Sequence, residues 1–311
     1  MRVLVLGAGA VGGYFGAAMQ LAGIEVTYLV RPGRAQALAR NNLLLDSEIL
    51  GSQEIAVKTI LAEQASRDWD IIILTCKAYD LPSAMKAIET FIGPQTSIMP
   101  LLNGFAHLDI LKDNFGVEHV LGATCKIFAD LSLDGKITQN GKIAELTYGL
   151  MRGQDLLPEP VKMVERLRDM LNPVTGFTAK RIDPIERALW DKWALLAPLA
   201  AMTSLMRANV GEINATRDGT ELMRLMMEEV AAIAASNDYP IDEDLKKNIE
   251  DMLTKKESLF AASMAKDIAK GKKIEGHHIV GDLLSRAKDI ETPMLKSAHC
   301  HLQVYENKLK L

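Results

Sequence analysis

The chain opens on a run that few folds can accommodate. Residues 2–6 read R-V-L-V-L and lead directly into Gly7-Ala8-Gly9-Ala10-Val11-Gly12. The first run is continuously apolar after Arg2 rather than alternating, as expected for a strand buried on both faces. Residues 14–22 read as a helix, and 25–30 (E-V-T-Y-L-V) as a second strand. G-x-G-x-x-G therefore occupies the turn between a strand and a helix, inside a β-α-β unit of about 30 residues. Gly7 permits the tight turn, Gly9 leaves the backbone open to close approach, and Gly12 lets helix and strand pack together. The helix N-terminus adds unpaired N–H groups and a partial positive charge. These features together predict a site for the pyrophosphate of a dinucleotide, with residues 7–12 as its cradle. A membrane span or signal peptide is the competing reading of the uncharged stretch 3–24, but its six glycines (7, 9, 12, 13, 16 and 23) are poor helix-interior residues.

The end of the second strand selects the dinucleotide. An NAD site places an acid there for the ribose 2′-hydroxyl. This chain has Val30-Arg31-Pro32-Gly33-Arg34 instead. Arg31 presents a planar fork suited to a 2′-phosphate, so NADP(H) is the expected cofactor. Arg34 is either a second cation for that phosphate or a solvated surface charge.

At 311 residues the chain is about twice a common domain length. A loop and hairpin are expected around 43–57, and strands at 70–76, 97–101, 120–128, 143–150 and 177–181. Turns are expected at Asp134-Gly135 and Asn140-Gly141, and a helix at 159–171. Lys77 and Asn103 fall just past the ends of two of these strands, where open α/β sheets bind their ligands. Both are therefore candidates for the cofactor's reactive end or the substrate. A domain seam is expected at Asp183-Pro184-Ile185-Glu186, which combines an N-cap acid, proline at the first helical position and glutamate at the third. Beyond it the pattern is helical, with helices expected from 183, at 218–237, 242–255 and 276–288, and from 293 to about 308. The expected fold class is α/β: an N-terminal Rossmann-type doubly wound parallel sheet (1–181) with a C-terminal all-α domain (182–311).

Within that second domain, residues 188–202 hold only two charges, Asp191 and Lys192. A lysine in so apolar a helix is costly unless paired or useful. Desolvation would favour its neutral form and make it a proton donor near neutral pH. Snorkelling to the surface or pairing with an acid are the structural alternatives. Ser263 and Asp267 lie four residues apart and share a helix face. His277-His278 and His299-x-His301 do not chelate within one helix, because neighbours at i+1 and i+2 point apart. No metal is expected.

Composition removes further classes. With 36 basic and 40 acidic residues the net charge is −4, which gives no footprint for nucleic acid. Three scattered cysteines, Cys76, Cys125 and Cys300, form neither a disulfide framework nor a metal-ligand spacing. A cytoplasmic location without membrane attachment follows. Eleven of fifteen methionines fall at or beyond Met151, predicting an adaptable helical core and an apolar face suited to a homodimer.

These blocks together resemble the ketopantoate reductase (2-dehydropantoate 2-reductase) family over essentially the whole chain. The resemblance is carried by G-A-G-A-V-G at 7–12, Arg31, T-C-K-A at 75–78 and L-N-G at 102–104. It continues through L-W-D-K at 189–192, S-M-A-K-D-I at 263–268 with Gly271 and Glu275, and Thr292-Pro293. It implies reduction of a 2-oxo acid with NADPH, as a step toward pantothenate and coenzyme A. It further implies that Lys192 protonates the carbonyl oxygen, Glu275 meets the substrate hydroxyl, Ser263 binds substrate, and Lys77 and Asn103 lie near the nicotinamide. The family commonly carries asparagines one and two turns after the lysine, where this chain has Leu196 and Ala200. It also carries an aromatic and an asparagine where His278 and Val280 stand, and a glycine at Ala106. The expected substrate-binding set is thus Ser263, Lys77, Asn103, Leu196 and Ala200, with fewer polar contacts than usual. Lost hydrogen-bonding groups relax discrimination among substrates.

Overall fold

The computed structural model of the chain describes residues 1–64 and 69–309. Its contacts divide it into two compact units, one of residues 1–102 and 107–186, the other of 103–106 and 187–311. The seam lies at 186/187, and the segment 103–106 groups with the C-terminal unit.

In chain order the first unit contains β1 (Arg2–Leu6), α1 (Ala10–Leu21), β2 (Glu25–Leu29), α2 (Pro32–Asn41), β3 (Leu43–Ser47), β4 (Gly51–Ile55), β5 (Lys58–Ile60), β6 (Ile71–Leu74), α3 (Leu81–Ile88) and β7 (Ser97–Pro100). It continues with α4 (Ala106–Phe115), whose first residue groups with the other unit, then β8 (Gly122–Leu131), β9 (Ile137–Gly149), α5 (Pro158–Leu171) and β10 (Thr178–Arg181). The first sheet runs β5-β2-β1-β6-β7 with every pair parallel. Counted within this sheet, the order is 3-2-1-4-5, as in dinucleotide folds. Val120 adds an isolated parallel bridge to Ile98 at its edge. Both faces are covered, which is why Val3, Leu4, Ile71 and Ile72 show no exposed surface.

A second sheet, β10-β9-β3-β4 with β8 antiparallel on β9, was not foreseen as a separate layer. Between the layers runs α1, and its glycines follow from that position. An added Cβ at Gly12 would lie 2.2 Å from the Gly7 carbonyl oxygen, at Gly13 2.2 Å from Ile137 Cδ1 on β9, and at Gly16 2.4 Å from the Tyr28 hydroxyl on β2. The uncharged glycine-rich stretch is a helix pressed from two sides.

Three expectations need correction in this unit. The Asn140-Gly141 pair does not separate strands: β9 runs through it. The register against β8 shifts between Ile127, opposite Ala144, and Phe128, opposite Asn140, so residues 141–143 form a bulge. The hairpin turn is the Asp134-Gly135 one, closed by the Ser132–Lys136 backbone bond of 3.0 Å. The helix α2 was missed, because its polar composition offers a weak apolar stripe. Asp183 does not cap a helix; its Oδ1 accepts from the Leu150 amide (2.6 Å) and its Oδ2 from Arg181 Nε (2.7 Å).

The second unit contains α6 (Glu186–Leu205), whose first residue lies at the seam, followed by α7 (Val210–Asn214), α8 (Gly219–Ser236), α9 (Glu243–Leu253), α10 (Ser263–Ala269), α11 (Asp282–Ser285) and α12 (Pro293–Lys308). The short α7 was also missed. Asn209 and Glu212 form its reciprocal capping box, with both bonds at 2.8 Å. The helix expected at 276–288 is irregular: residues His277–Gly281 are a π-helical turn leading into α11. Glu229 on α8 caps α12 from a distance by accepting from the Met294 and Leu295 amides, each at 2.8 Å. Among the described residues no helix is long and apolar enough to cross a membrane.

Candidate active site

The glycine turn is held by packing and by main-chain bonds. Gly7 sits at φ +98°, a conformation open to glycine, and its amide donates to the Leu29 carbonyl at 3.0 Å. Thr75 Oγ1 at the end of β6 donates to the Leu6 carbonyl at 2.8 Å and would stand 2.3 Å from an added Cβ at Gly12. Gly9 is the N-cap of α1, and an added Cβ there would meet nothing within 4 Å. That open, unobstructed backbone beside a helix N-terminus fits a pyrophosphate. Gly7, Gly9, Ala10 and Val11 are half-buried, while Ala8 and Gly12 are buried and can contribute only their main chain.

The two arginines after β2 separate in role. Arg31 is the N-cap of α2, and its side chain is 80% exposed, with Asp80 at 3.9 Å. Arg34 is no solvated surface charge. Its Nε and Nη2 donate to the Ala8 carbonyl (3.1 and 2.9 Å), and Nη1 and Nη2 to the Gly135 carbonyl (both 3.3 Å). Burial lowers its pKa from the ordinary arginine value. Lys77 is half-buried at the head of a short turn, three residues beyond β6.

In the helical unit, Lys192 on α6 is half-buried and its Nζ donates to Asn103 Oδ1 at 2.9 Å. That partner is a neutral amide, and it comes from the segment that joins this unit from elsewhere in the chain. An aromatic platform holds that segment. Phe105 lies 5.2 Å from the Trp190 ring and 5.3 Å from Trp193, and the Arg286 guanidinium stacks 5.3 Å over Phe105. Trp193 Nε1 donates to the Ile279 carbonyl at 3.0 Å, tying α6 to the π-helical turn. Asp282 Oδ2 accepts from the Ala106 amide at 3.0 Å, and its Oδ1 from Arg286. Gly104, at φ +79°, packs so closely on the same turn that a Cβ would fall 2.7 Å from the His278 carbonyl oxygen.

Glu275 is buried at the start of that turn, where its carbonyl accepts from the Ile279 amide. His278 is held below the ordinary histidine pKa by burial, with Glu275 and Asp282 opposing and His277 adding to the shift. Lys192, Asn103 and Glu275 thus belong to one neighbourhood, linked through Gly104 and His278. Ser263 is exposed at the start of α10, and the preceding Ala262 amide donates at 3.4 Å to Thr203 Oγ1 on α6, the helix that carries Lys192. Leu196 is half-buried, whereas Ala200 and Val280 have no exposed surface.

The histidines pair across elements rather than within a helix. His277 and His299 rings lie 6.2 Å apart, and His301 Nε2 accepts from Arg207 Nε at 3.2 Å. Among the described residues no group of three or more His, Cys, Asp or Glu could hold a metal. Sequence reasoning missed the aromatic platform and Arg286. Trp190 was visible beside Lys192, but nothing local indicated that it meets Phe105.

The parallel sheet in its dinucleotide order, the glycine turn at the head of α1 and the helical unit define the class, a dinucleotide-binding fold followed by an all-helical unit. Comparison with known proteins gives the family. The model of ketopantoate reductase PanE/ApbA matches residues 3–153, and that of its C-terminal domain matches 184–306. The chain belongs to this family. It is 30% identical to the "Uncharacterized oxidoreductase YkpB" of Bacillus subtilis over 98% of this chain and 99% of that one. A solved PanE/ApbA family ketopantoate reductase from Ralstonia eutropha superimposes with a TM-score of 0.87 at 24% identity, covering all of both chains. D-mandelate dehydrogenase, solved with NADH and anilino(oxo)acetate, gives 0.86 at 22% identity, again over all of both. At these identities the two structures establish the fold.

Proposed function

We propose that the protein reduces a 2-oxo acid to the 2-hydroxy acid with NADPH, with 2-dehydropantoate as the nominal substrate on the way to pantothenate and coenzyme A in the cytoplasm. The observation that carries this reading is Lys192 on an apolar helix, hydrogen-bonded at 2.9 Å to Asn103 in a neighbourhood that includes buried Glu275. Residues 7–12 would hold the pyrophosphate through their main chain, and exposed Arg31 the 2′-phosphate. When bound, the cofactor supplies the hydride that the carbonyl carbon receives. Lys192 donates the proton that the carbonyl oxygen takes up, and its charge stabilises the developing alkoxide. Asn103 accepts from the ammonium and so fixes its direction. Glu275 accepts from the hydroxyl that forms. Ser263 and Lys77 bind the acid, Lys77 as a point charge for its carboxylate.

A second reading keeps the chemistry and changes the substrate to a more apolar 2-oxo acid. Leu196, one turn beyond Lys192, and Ala200, two turns beyond, offer no hydrogen bond on the lysine's helix face. D-mandelate dehydrogenase, of the same fold, has been solved with an aromatic 2-oxo acid derivative. Steady-state oxidation of NADPH by purified protein with 2-dehydropantoate and a panel of aliphatic and aromatic 2-oxo acids tests both. A clear preference for 2-dehydropantoate removes the second reading. Tight NADPH binding without turnover on any acid removes both and leaves a non-catalytic nucleotide sensor.

A further inference from the structure

From its place after β2, Arg34 is expected to be a helper for the 2′-phosphate or a surface charge, and the structure instead ties it to two main-chain carbonyls. One guanidinium joins three parts of the N-terminal unit: the glycine turn through Ala8, the first turn of α2 that carries it, and the β8–β9 hairpin through Gly135. The hairpin is itself braced, since Lys136 Nζ reaches Asp46 Oδ2 on β3 at 2.9 Å.

The geometry has a consequence for the cofactor site. The Ala8 carbonyl and the Gly9 amide belong to one planar trans peptide, so C=O and N–H point in opposite directions. A carbonyl fixed on Arg34 by two bonds, of 3.1 and 2.9 Å, turns the Gly9 N–H away from Arg34. A cationic donor on the carbonyl also polarises that amide and strengthens its N–H as a donor. Gly9 is the turn residue whose added Cβ would meet nothing within 4 Å, so its backbone lies open to an incoming group.

We propose that Arg34 is a positioning residue for the dinucleotide: it sets the Ala8–Gly9 peptide so that the Gly9 N–H is presented to the pyrophosphate, and leaves recognition of the 2′-phosphate to Arg31. The proposal rests on the dinucleotide-binding reading. It makes a distinction that a phosphate-contacting arginine would not, because the pyrophosphate is common to NADPH and NADH.

The test is the affinity of wild type, Arg34→Gln, Arg34→Lys and Arg31→Gln for both NADPH and NADH, followed by quenching of protein fluorescence, with melting temperature and kcat measured alongside. Arg34→Gln should weaken both nucleotides by a similar factor, on the order of tenfold, the scale of one hydrogen bond to a charged group. Its kcat at saturating cofactor should stay near wild type while KM for the cofactor rises. Arg34→Lys, which keeps one donor and the charge, should fall between. Arg31→Gln should weaken NADPH alone. Gly135→Ala offers a route that leaves Arg34 in place: its Cβ would fall 2.5 Å from Arg34 Nη1 and displace the guanidinium. It should weaken both nucleotides in the same proportion, and it carries the test if Arg34→Gln does not fold. Loss confined to NADPH in the Arg34 variants would make Arg34 a 2′-phosphate ligand and overturn the proposal, as would unchanged affinity for both. Failure of the wild-type protein to bind either nucleotide would instead overturn the dinucleotide-binding reading itself.

Discussion

The glycine turn of one unit and the lysine neighbourhood of the other are built from different materials. The glycine turn in the N-terminal unit is main chain: its conformation depends on the absence of side chains at Gly7 and Gly12, and on carbonyls held by Thr75 and Arg34. The lysine site in the C-terminal unit is side chain: Lys192 and Asn103, braced by Phe105, Trp190, Trp193 and Arg286. A backbone cradle would recognise what every dinucleotide shares, and at Gly12 it tolerates little change, because an added atom there meets backbone. A side-chain pocket can change residue by residue without disturbing the fold. Leu196 is half-buried one turn beyond Lys192, while Ala200 and Val280 are fully buried, and none of the three carries a polar side chain.

Breaking each half separately tests that contrast. The largest stability effect is expected from Trp193→Ala, which removes a side chain 1% exposed together with its bond to the Ile279 carbonyl. The loss should be about 3–5 kcal/mol, as for large aromatic truncations. Chemical denaturation should show it in the helical unit while NADPH affinity persists. Gly12→Ala attacks the other half. Its Cβ would stand 2.2 Å from a backbone oxygen that cannot rotate away, so a cost of about 1–3 kcal/mol is expected, with loss of NADPH binding. If Gly12→Ala binds NADPH normally, the close packing of α1 on the turn is not what shapes the cradle.

Leu196→Asn sharpens the contrast at smaller cost. It introduces a polar group one turn beyond Lys192 and should shift kcat/KM toward hydroxylated 2-oxo acids by about tenfold, with stability little changed. An unchanged substrate profile would place Leu196 outside the pocket. The smallest effect concerns pH. Burial holds His278 below the unfolded value of about 6.5, so the folded chain binds fewer protons than the unfolded one in the window between. This contribution is fully present above pH about 6.5. It is lost as pH falls through that window and levels off below the folded value. His299 and His301 act with the same sign, both lowered chiefly by burial. Melting curves from pH 8 to 5 should show the decline, and His278→Gln should make it shallower.

Much of the N-terminal unit was legible because its rules are local. A buried strand, a glycine turn and a helix occur in sequence, and Arg31 stands where the second strand ends. The β9 bulge and α2 were not, since Asn140-Gly141 has the composition of a turn and α2 shows little apolar periodicity. In the helical unit, the apolar helix around Lys192 marked the residue, but its partner Asn103 lies 89 positions earlier in the chain. The same holds for Phe105 on Trp190 and for Glu229 capping α12: such pairs are set by packing of distant segments, which no periodicity records. The local sequence at Asp183 misled because its carboxylate serves Leu150 and Arg181 in place of a helix end.

In the proposed reaction Lys192 supplies the proton while the N-terminal unit binds cofactor independently of it. The most direct measurement is NADPH-dependent reduction of the best 2-oxo acid by wild type and Lys192→Ala, with NADPH affinity determined for each. Lys192→Ala should show a kcat reduced by about 10²–10⁴, the range for a positioned general acid, with NADPH affinity unchanged. A Lys192→Ala protein that turns over at the wild-type rate would contradict it.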